Sequence, residues 1–506
     1  MHLDDVVTTS AAVAATRSRK AKTLAIADLL RGAAPQDVRA VVAWLSGETL
    51  QGRLGIGWRT LSGARAHAAA SPTWTVAEVD SLLDELAVTS GAGSVKLRKE
   101  LLGSLFERAT SGEQDFLIRL LTGEVRQGAL EGVMTEAIAT ASDLPVDVVR
   151  RAFMLSGSLA ETAAAAMGGG AAALQSFGLE VGRPVRPMLA SPAKSLGEAH
   201  SALGGNVSVE YKLDGARIQV HRNGDDVAIF TRTLNDITER VPELVQLVRD
   251  LPCESVVLDG ETLALADSGR PRPFQETMSR FGASSQRDLL LQPYFFDCLH
   301  LDGEDLLDRP LSDRIGVLDR LAPQHRIPAL RSPTVEETEA HLDAALAAGH
   351  EGIMIKALDS TYAAGRRGKS WQKVKPEHTL DLIVLGAEWG YGRRTGYLSN
   401  LHLGARDPDG GEPIMVGKTF KGLTDELLRW QTEEFPKVER NRDQHTVYVH
   451  PQIVVEIELD GVQVSSRYPG GVALRFARVL RYRPDKTAAM ADTIEAVRAM
   501  LPGDGS

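Results

Sequence analysis

The stretch NVSVEYKLDGARIQVHRNGDDVAIFTR, residues 206–232, decides the fold of the middle of this chain. It alternates apolar and polar residues, as half-buried β-strands do, and the turn dipeptides Asp214-Gly215 and Asn223-Gly224 interrupt it. Lys212 stands at the end of a predicted strand, beside the first of these turns, so its side chain can project into a cleft. Taken alone, this pattern favours a simple hairpin that carries a surface lysine.

Further strands are predicted on the C-terminal side of this stretch, in SVVLDGETLAL (255–265), YFFDCLHL (294–301) and EGIMIKAL (351–358). Helical patterns lie between them, around residues 238–250, 311–322 and 335–348. Strands and helices that mix in this way predict an α+β domain, which we place at residues 186–378.

The first third of the chain, residues 1–185, is predicted to be an all-α domain. Apolar residues recur there at spacings of three and four, as in KTLAIADLLRG (22–32) and EQDFLIRLLTG (113–123), and no long β-branched alternation occurs. Three consecutive glycines, Gly168 to Gly170, are expected to break the helix that contains them. A linker beginning near Gly182 leads into the next domain.

Residues 379–506 are predicted to form a small β-barrel. Short strands such as LDLIVLGAEWG (380–390), LSNLHLGARD (398–407) and QIVVEIELDGVQVS (452–465) are separated by glycine-rich turns, and one helix around 424–434 interrupts them. With the two preceding regions this gives three domains, which suits a chain of 506 residues.

The composition is that of an ordinary globular protein, with 43% hydrophobic and 25% charged residues and a net charge of −10. The acidic balance disfavours a protein that passively coats nucleic acid, but it leaves room for local basic patches. The chain has two cysteines, Cys253 and Cys298, which are too few for a four-cysteine zinc site. Both are expected to be small residues of the core. Without a basic N-terminal signal or a long apolar run, the chain is expected to be cytoplasmic, with no membrane partner.

Chemistry-bearing residues recur in a fixed order after Lys212. Each lies in a short island of sequence, and a basic segment, LRFARVLRYRPDK (474–486), closes the series. The islands are FTRTLNDIT with Arg232, LDGETLAL with Glu261, YFFDCLHLDG with Phe296, EGIMIKAL with Glu351, and WQKVKPEH with Lys373 and Lys375. One island alone is weak evidence of function, whereas the ordered set is specific.

This ordered set resembles the nucleotidyltransferase motifs that ATP-dependent DNA ligases share with RNA ligases and mRNA capping enzymes. The helical region in front resembles the DNA-binding domain of the longer DNA ligases, and the layout is most similar to three-domain ligases of archaea and some bacteria. The resemblance covers nearly the whole chain. It implies a DNA-binding domain, an adenylation domain and an OB-fold domain that together seal nicks in duplex DNA with ATP and Mg²⁺, in an enzyme that works as a monomer.

The resemblance assigns a role to each motif residue near the first turn. It makes Lys212 the nucleophile that carries AMP, which requires a deprotonated amine and therefore a lowered pKa. Glu210 would read the adenine amino group, although an exposed strand position is the alternative. It also implies that Asp214 orients the lysine or assists a later step, and that Arg217 and Arg232 hold ribose and phosphate oxygens.

The later motifs complete the implied ATP site. Glu261 would accept a hydrogen bond from the ribose and contribute to the metal site, and Glu351 would bind or position Mg²⁺. Phe296 would stack on adenine, although an aromatic residue in an apolar run is more often core. Lys373 and Lys375 are two residues apart and are expected to share one strand face as a phosphate clamp, to which Arg367 adds.

The closing basic segment is implied to contact pyrophosphate first and DNA afterwards, as a lid that turns between steps. A strand that contacts DNA phosphates throughout is the alternative. Its cationic residues are Arg475, Arg478, Arg481, Arg483 and Lys486, and Ala477 stands where many relatives have proline.

Two further segments are relevant to nucleotide and DNA binding. GEVRQGALEG (123–132) resembles a loop and helix with which ligase DNA-binding domains meet the minor groove. AAGRRGKS (363–370) nearly matches a phosphate-binding P-loop, but it lacks the first glycine and a strand-to-helix context, so we reject it.

Three other functions compete with this interpretation. An RNA ligase or a GTP-using capping enzyme is disfavoured by the long helical domain in front of the motifs. An NAD-dependent ligase is disfavoured because two cysteines cannot supply its zinc site. A DNA-binding relative without catalysis is disfavoured by the joint presence of Lys212, Glu261, Glu351, Lys373 and Lys375.

Overall fold

Helices form the first third of the chain, as predicted. Several begin at capping boxes, in which a threonine side chain accepts from the backbone three residues on and a glutamate returns the bond, as in Thr75–Glu78 and Thr110–Glu113. Trp44, Phe106 and Phe116 are fully buried between them. The helices are α1 Leu3–Ala15, α2 Arg19–Arg31, α3 Val38–Ser46, α4 Trp58–Ala64, α5 Val76–Val88, α6 Ser94–Glu107, α7 Ser111–Leu121, α8 Glu131–Ser142, α9 Val146–Ser156 and α10 Leu159–Gln175.

The computed structural model describes the protein except for positions 53, 92, 126, 130, 194, 267–268, 273, 282–289, 365–366, 377, 392–393 and 502–506, and except for the side chains at 59, 274–275 and 367–369.

The glycine run in α10 bends the helix later than expected. The helix continues through Gly168 and Gly169, and only Gly170 leaves helical geometry, with φ 60° and ψ −147°. These dihedrals are open to glycine because it has no Cβ. The predicted interruption is therefore a kink at one residue, and helix resumes to Gln175.

The middle region is α+β, as predicted, and is built on two five-stranded sheets. The first has the strand order β1-β10-β9-β2-β8 and the second β4-β3-β5-β6-β7. The elements are β1 Leu189–Pro192, α11 Leu196–Leu203, β2 Val207–Lys212, β3 Ala216–Asn223, β4 Asp226–Thr231, α12 Pro242–Arg249, β5 Ser255–Ala264, α13 Phe274–Ser279, β6 Leu291–Leu301, β7 Glu304–Asp305, α14 Leu311–Leu321, β8 Ala329–Arg331, α15 Val335–Ala347, β9 Gly352–Ala357 and β10 Arg367–Val374.

The two turns of the opening stretch differ in what they join. Asn223-Gly224 closes a hairpin, since Asn223 pairs with Asp226 across β3 and β4. Asp214-Gly215 joins β2 to β3, which belong to different sheets. The interpretation of this stretch as a simple hairpin with a surface lysine is therefore wrong. The chain passes from one sheet to the other directly after Lys212.

The C-terminal region is strand-rich, as predicted. Its main sheet follows the order β13-β12-β11-β15-β14, while β16 pairs with β11 and β19, and β17 pairs with β18. The elements are β11 His378–Trp389, β12 Leu398–Ala405, β13 Ile414–Thr419, α16 Asp425–Glu434, β14 Glu439–Arg442, β15 Thr446–Val449, β16 Val454–Leu459, β17 Gly461–Val464, β18 Val472–Arg475, β19 Arg478–Tyr482 and α17 Ile494–Arg498.

We keep 1–185, 186–378 and 379–506 as proposed domain boundaries, noting that β11 already begins at His378. Cys298 is buried, Cys253 is half-buried, and both are free thiols, so a core role fits them. In the described part of the chain, none of the helices combines the length and apolarity needed to cross a lipid bilayer.

Candidate active site

A cavity of about 930 Å³ is lined by both sheets of the middle region. Its volume lies in the range of small-molecule sites in proteins. Motif residues from five separate stretches of sequence line it, namely Glu210, Lys212, Arg217, Arg232, Glu261, Phe296 and Lys373. The fold thus gathers most of the predicted ATP residues around one space.

Strand register explains why these side chains converge. Glu210 and Lys212 alternate along β2 and therefore share a face, and they pair with Met354 and Gly352 of β9. On β10, Lys373 pairs with Met354 and so faces the same way. The opposite face of the sheet, including Val209, packs against helices α11 and α15 and forms a core.

The Lys212 ammonium forms an ion pair with the Glu351 carboxylate. The contact is fixed at the backbone too, since the Glu351 amide donates to the Lys212 carbonyl at 3.0 Å. Glu351 directly precedes β9, the strand that pairs with β2. The two residues are therefore held together although 139 positions separate them in sequence.

The environment of Lys212 favours a neutral amine. Burial is the main cause that lowers its pKa from 10.5 to about 8; Lys373 and Lys375 lower it as well, whereas Glu261 and Asp214 raise it. With a pKa near 8, about a tenth of these amines are neutral at pH 7, against roughly three in ten thousand at the ordinary value. The site thus makes Lys212 a usable nucleophile near neutral pH.

Gly215 lets the chain pass between the sheets at close range. A Cβ there would lie 2.5 Å from the Thr262 carbonyl oxygen, 2.6 Å from Leu263 Cδ2 and 2.8 Å from Glu261 Cγ. A backbone oxygen cannot move aside as a side chain can, so glycine is required by space.

We expect Gly215→Ala to destabilise the protein by about 1–3 kcal/mol through overpacking, and to slow chemistry at Lys212 by displacing the turn. Urea unfolding measures the first effect. Gly205→Ala is the matched control, because nothing lies within 4 Å of a Cβ at that position. Equal stability of the two variants would contradict the steric argument.

Arg217 is half-buried, and most of its guanidinium contacts are with other protein groups. It forms a two-pronged ion pair with Asp259, at 3.0 and 2.6 Å, and donates to the Met188 carbonyl at 2.7 Å. Tyr362 donates to the same Asp259 at 2.7 Å. Arg217 therefore lines the cavity with its position fixed by its neighbours.

Glu261 pairs with Arg217 across β3 and β5, so the two side chains lie on one face. Burial raises the pKa of the Glu261 carboxyl to about 7, although the cations Arg217 and Lys212 oppose the shift. At neutral pH this group can either accept or donate a hydrogen bond.

The structure also gives the positions of Glu210, Phe296 and Arg232. Glu210 is fully buried, so the exposed-strand alternative is wrong. Phe296 is both core and site, since it is 8% exposed and lines the cavity. Arg232 follows β4 and is an exposed residue on the cavity rim.

The lysine pair is arranged differently from the prediction. Lys373 lies on β10 and faces the cavity, but β10 ends at Val374, so Lys375 is beyond the strand. Lys375 forms an ion pair with Asp460 of the C-terminal region. The prediction that Lys373 and Lys375 share one strand face is therefore wrong, because β10 ends one residue before Lys375. Both ammonium groups nevertheless lower the pKa of Lys212. The side chain of Arg367 lies outside the described residues.

The basic closing segment is divided between two locations. Arg475, at the end of β18, reaches into the middle region and donates to Asp214 at 2.8 Å. The other described cations of the segment stay within the C-terminal region: Arg478 is exposed, Arg481 pairs with Glu456, Arg483 pairs with Asp485 and Asp381, and Lys486 pairs with Asp381. Of this segment, Arg475 is the cation that reaches Asp214 beside Lys212.

The segment 123–132 leads into α8, which begins at Glu131, and Arg126 and Leu130 lie outside the described residues. Gln127 anchors it from within, donating to the Leu45 carbonyl at 2.6 Å and accepting from Ser10. At 367–374 the structure has strand β10, where a P-loop would lead into a helix, and this agrees with its rejection.

Four residues of this site were missed at the sequence level, namely Asp259, Lys356, Tyr362 and Trp371. Asp259 and Lys356 lie inside motif islands already recognised, two residues before Glu261 and five after Glu351. Alternation along β5 was the available signal for Asp259, because it shares a face with Glu261.

Comparisons with known proteins agree with this arrangement. Family models match three parts of the chain: the DNA ligase N terminus at 60–139, the ATP dependent DNA ligase domain at 187–375, and the ATP dependent DNA ligase C terminal region at 394–486. A probable DNA ligase of Rhodococcus jostii is 71% identical over 99% of this chain and 100% of its own length. One from Nocardia farcinica is 65% identical, with 98% and 99% covered. The solved structure Pmar-Lig_PreS3 has the same fold, with a TM-score of 0.62 at 17% identity over 94% of this chain and 99% of that one.

Proposed function

Since this chain belongs to the ATP-dependent DNA ligase family, we propose that it seals nicks in duplex DNA by carrying AMP on Lys212. The observation that carries the proposal is a half-buried lysine with a pKa near 8 on the wall of a nucleotide-sized cavity. The neighbouring cations and carboxylates give that lysine the charge environment of a phosphoryl-transfer site.

In the first step the Lys212 amine attacks the α-phosphorus of ATP. A nitrogen–phosphorus bond forms, the bond to the bridging oxygen breaks, and pyrophosphate leaves with the electron pair. The proton lost from Lys212 passes to Glu351, whose carboxylate contacts the ammonium. Lys373 and Lys375 offset the negative charge that shifts toward the leaving group.

The rest of the ATP site follows from the cavity walls. Phe296 stacks on adenine, Glu210 accepts from the adenine amino group, and Glu261 accepts from the ribose. Arg232 contacts phosphate oxygens from the cavity rim, and Arg367 supplements this contact. Arg217 shapes the wall beside Phe296, over which its guanidinium carbon lies at 5.4 Å.

Mg²⁺ fits this site as an ion held mainly by the substrate. The described residues contain no cluster of three or more metal-ligating side chains. Glu261 and Glu351 both act on the Lys212 ammonium, and one or two carboxylates with phosphate oxygens and water are the ligands Mg²⁺ prefers. When bound, the ion neutralises charge on the phosphates.

In the second and third steps AMP moves to the 5′-phosphate of a nick, and the 3′-hydroxyl then displaces AMP and forms the phosphodiester bond. Arg478, Arg483 and Lys486 are assigned to DNA after the C-terminal region turns away from the cavity. The helical region grips the backbone of the duplex, with the loop at 123–132 on the minor groove, and the enzyme acts as a monomer.

A labelling and chase experiment tests the proposal. The protein is incubated with α-labelled ATP and Mg²⁺, resolved on a denaturing gel, and the labelled protein is then mixed with nicked duplex DNA. Label on the protein that is discharged as the nick closes supports the proposal. Label that discharges only onto RNA would replace it with RNA ligation, and labelling from GTP alone would indicate a capping enzyme.

The rate of Lys212 labelling should rise with pH. The reactive form is the neutral amine, so the single-turnover rate should increase about tenfold from pH 6 to 7 and level off above pH 8. Lys375→Met removes a cation that lowers the Lys212 pKa, so its profile should shift to higher pH. A rate that falls as pH rises, or an unchanged midpoint in the variant, would contradict this account.

A further inference from the structure

Lys356 is a buried cation in the part of the cavity that the proposal assigns to adenine, beside Glu210 and Phe296. The reaction steps above do not use it. It lies on β9, where its Cα pairs with Ser208 of β2 and Trp371 of β10, so its side chain faces the cavity with theirs. Its ammonium lies 4.2 Å from the ring centroids of both Phe296 and Trp371. Lys356 is 1% exposed, so it is removed from water.

The partner of this ammonium is Glu210. The Lys356 nitrogen lies 2.5 Å from Glu210 Oε2, and Ser208 donates to Oε1 at 3.1 Å. Arg326 adds a second, longer ion pair at 3.7 Å. Lys356 and Arg326 therefore offset the carboxylate charge. Because each carboxylate oxygen has two lone pairs, the group can still accept a hydrogen bond from a ligand.

Stability is a weak reason for this arrangement. A buried ion pair loses hydration, and an apolar pair of similar volume is often as stable. A fixed carboxylate at a base-binding cavity has a chemical consequence, however. It accepts from the 6-amino group of adenine and repels the 6-oxo group of guanine, since two acceptors meet without a proton.

We propose that Lys356 is a positioning residue for base selection, which fixes the orientation of the Glu210 carboxylate so that the site takes 6-aminopurine nucleotides and rejects 6-oxopurines. The ammonium also contacts Phe296, so the stacking ring and the acceptor are fixed by one group. The proposal rests on the proposed function, because it concerns the nucleotide that labels Lys212.

The test compares labelling efficiency with ATP, GTP and ITP in three variants. ITP carries the 6-oxo group without the 2-amino group of GTP, so it isolates the contact at position 6. Lys356→Met should lower the ATP-to-ITP ratio by at least about tenfold, since the acceptor loses its charge partner. Glu210→Gln with Lys356→Met removes both charges, avoids an unpaired buried carboxylate, and should lower the ratio similarly, because an amide can donate to a 6-oxo group.

Lys418→Met is the control for loss of a lysine–glutamate ion pair, since Lys418 forms a more exposed pair with Glu388 in the C-terminal region, away from the cavity. It should leave the ratio unchanged even where it lowers stability. Equal losses with all three nucleotides in the Lys356 variants would overturn the proposal and assign Lys356 to phosphate binding or packing. If wild-type protein takes no label from any nucleotide, the proposed function itself fails, which is a separate result.

Discussion

Lys212→Ala is expected to reduce AMP transfer to the protein by at least roughly a thousandfold, because alanine offers no nucleophile. Lys212→Arg should be equally inactive, although it keeps the positive charge beside Glu351. A guanidinium does not deprotonate in proteins, so this variant separates nucleophilicity from charge. The measurement is the single-turnover rate of labelling from α-labelled ATP.

Lys212→Ala should still catalyse the last step of the reaction. Sealing a nick whose 5′-phosphate already carries AMP needs no lysine nucleophile, so Lys212→Ala should still join that substrate. Lys96→Ala, at an exposed lysine in α6, is the matched control and should label normally. Residual labelling of Lys212→Ala at another lysine, or loss of the last step together with the first, would contradict the assigned role.

Arg475→Ala is expected to slow AMP transfer to Lys212 by about 10- to 100-fold, because Arg475 is the cation that joins the C-terminal region to Asp214 beside the nucleophile. In the proposed mechanism this guanidinium offsets the negative charge of the departing pyrophosphate. Sealing of a preadenylated nick should fall much less, since in the proposed mechanism the C-terminal region has turned away from the cavity before that step.

Arg440→Ala provides a matched control in the same region. Arg440 is exposed and pairs with Glu412 within the C-terminal region, so its loss should leave every step near the wild-type rate. If Arg475→Ala slowed all three steps equally, the residue would serve folding or DNA binding. An unchanged first step would make the contact with Asp214 incidental.

Local patterns predicted the elements well because propensity and periodicity act over short distances. The alternation in 206–232 gave β2, β3 and β4, and the threonine–glutamate boxes began helices in the first third. The predictions failed where a neighbouring element decides the outcome. The Asp214-Gly215 turn has the composition of a hairpin, but β2 finds its partners in β9 and β8, far along the chain.

In the site, too, local patterns predicted some residues, whereas contacts between distant strands decided others. The motif order identified Lys212, Glu261, Phe296 and Lys373, and strand alternation assigned Glu210 to the face of Lys212. Their partners could not be read from the sequence, because each is set by register between distant strands. Lys356 meets Glu210 only across the pairing of β9 with β2, and Asp460 meets Lys375 only across two domains.

By itself the sequence determined the family, the order of helical, mixed and strand-rich regions, and the residue types available for adenylation. It did so because those properties depend on local composition and on ordered motifs. Only the tertiary structure decided the charge state of Lys212, the partners of Arg217 and Glu210, and the choice of Arg475 as the cation that reaches Asp214. Burial and the distances between charges determine those properties, and both exist only once separate strands are packed together.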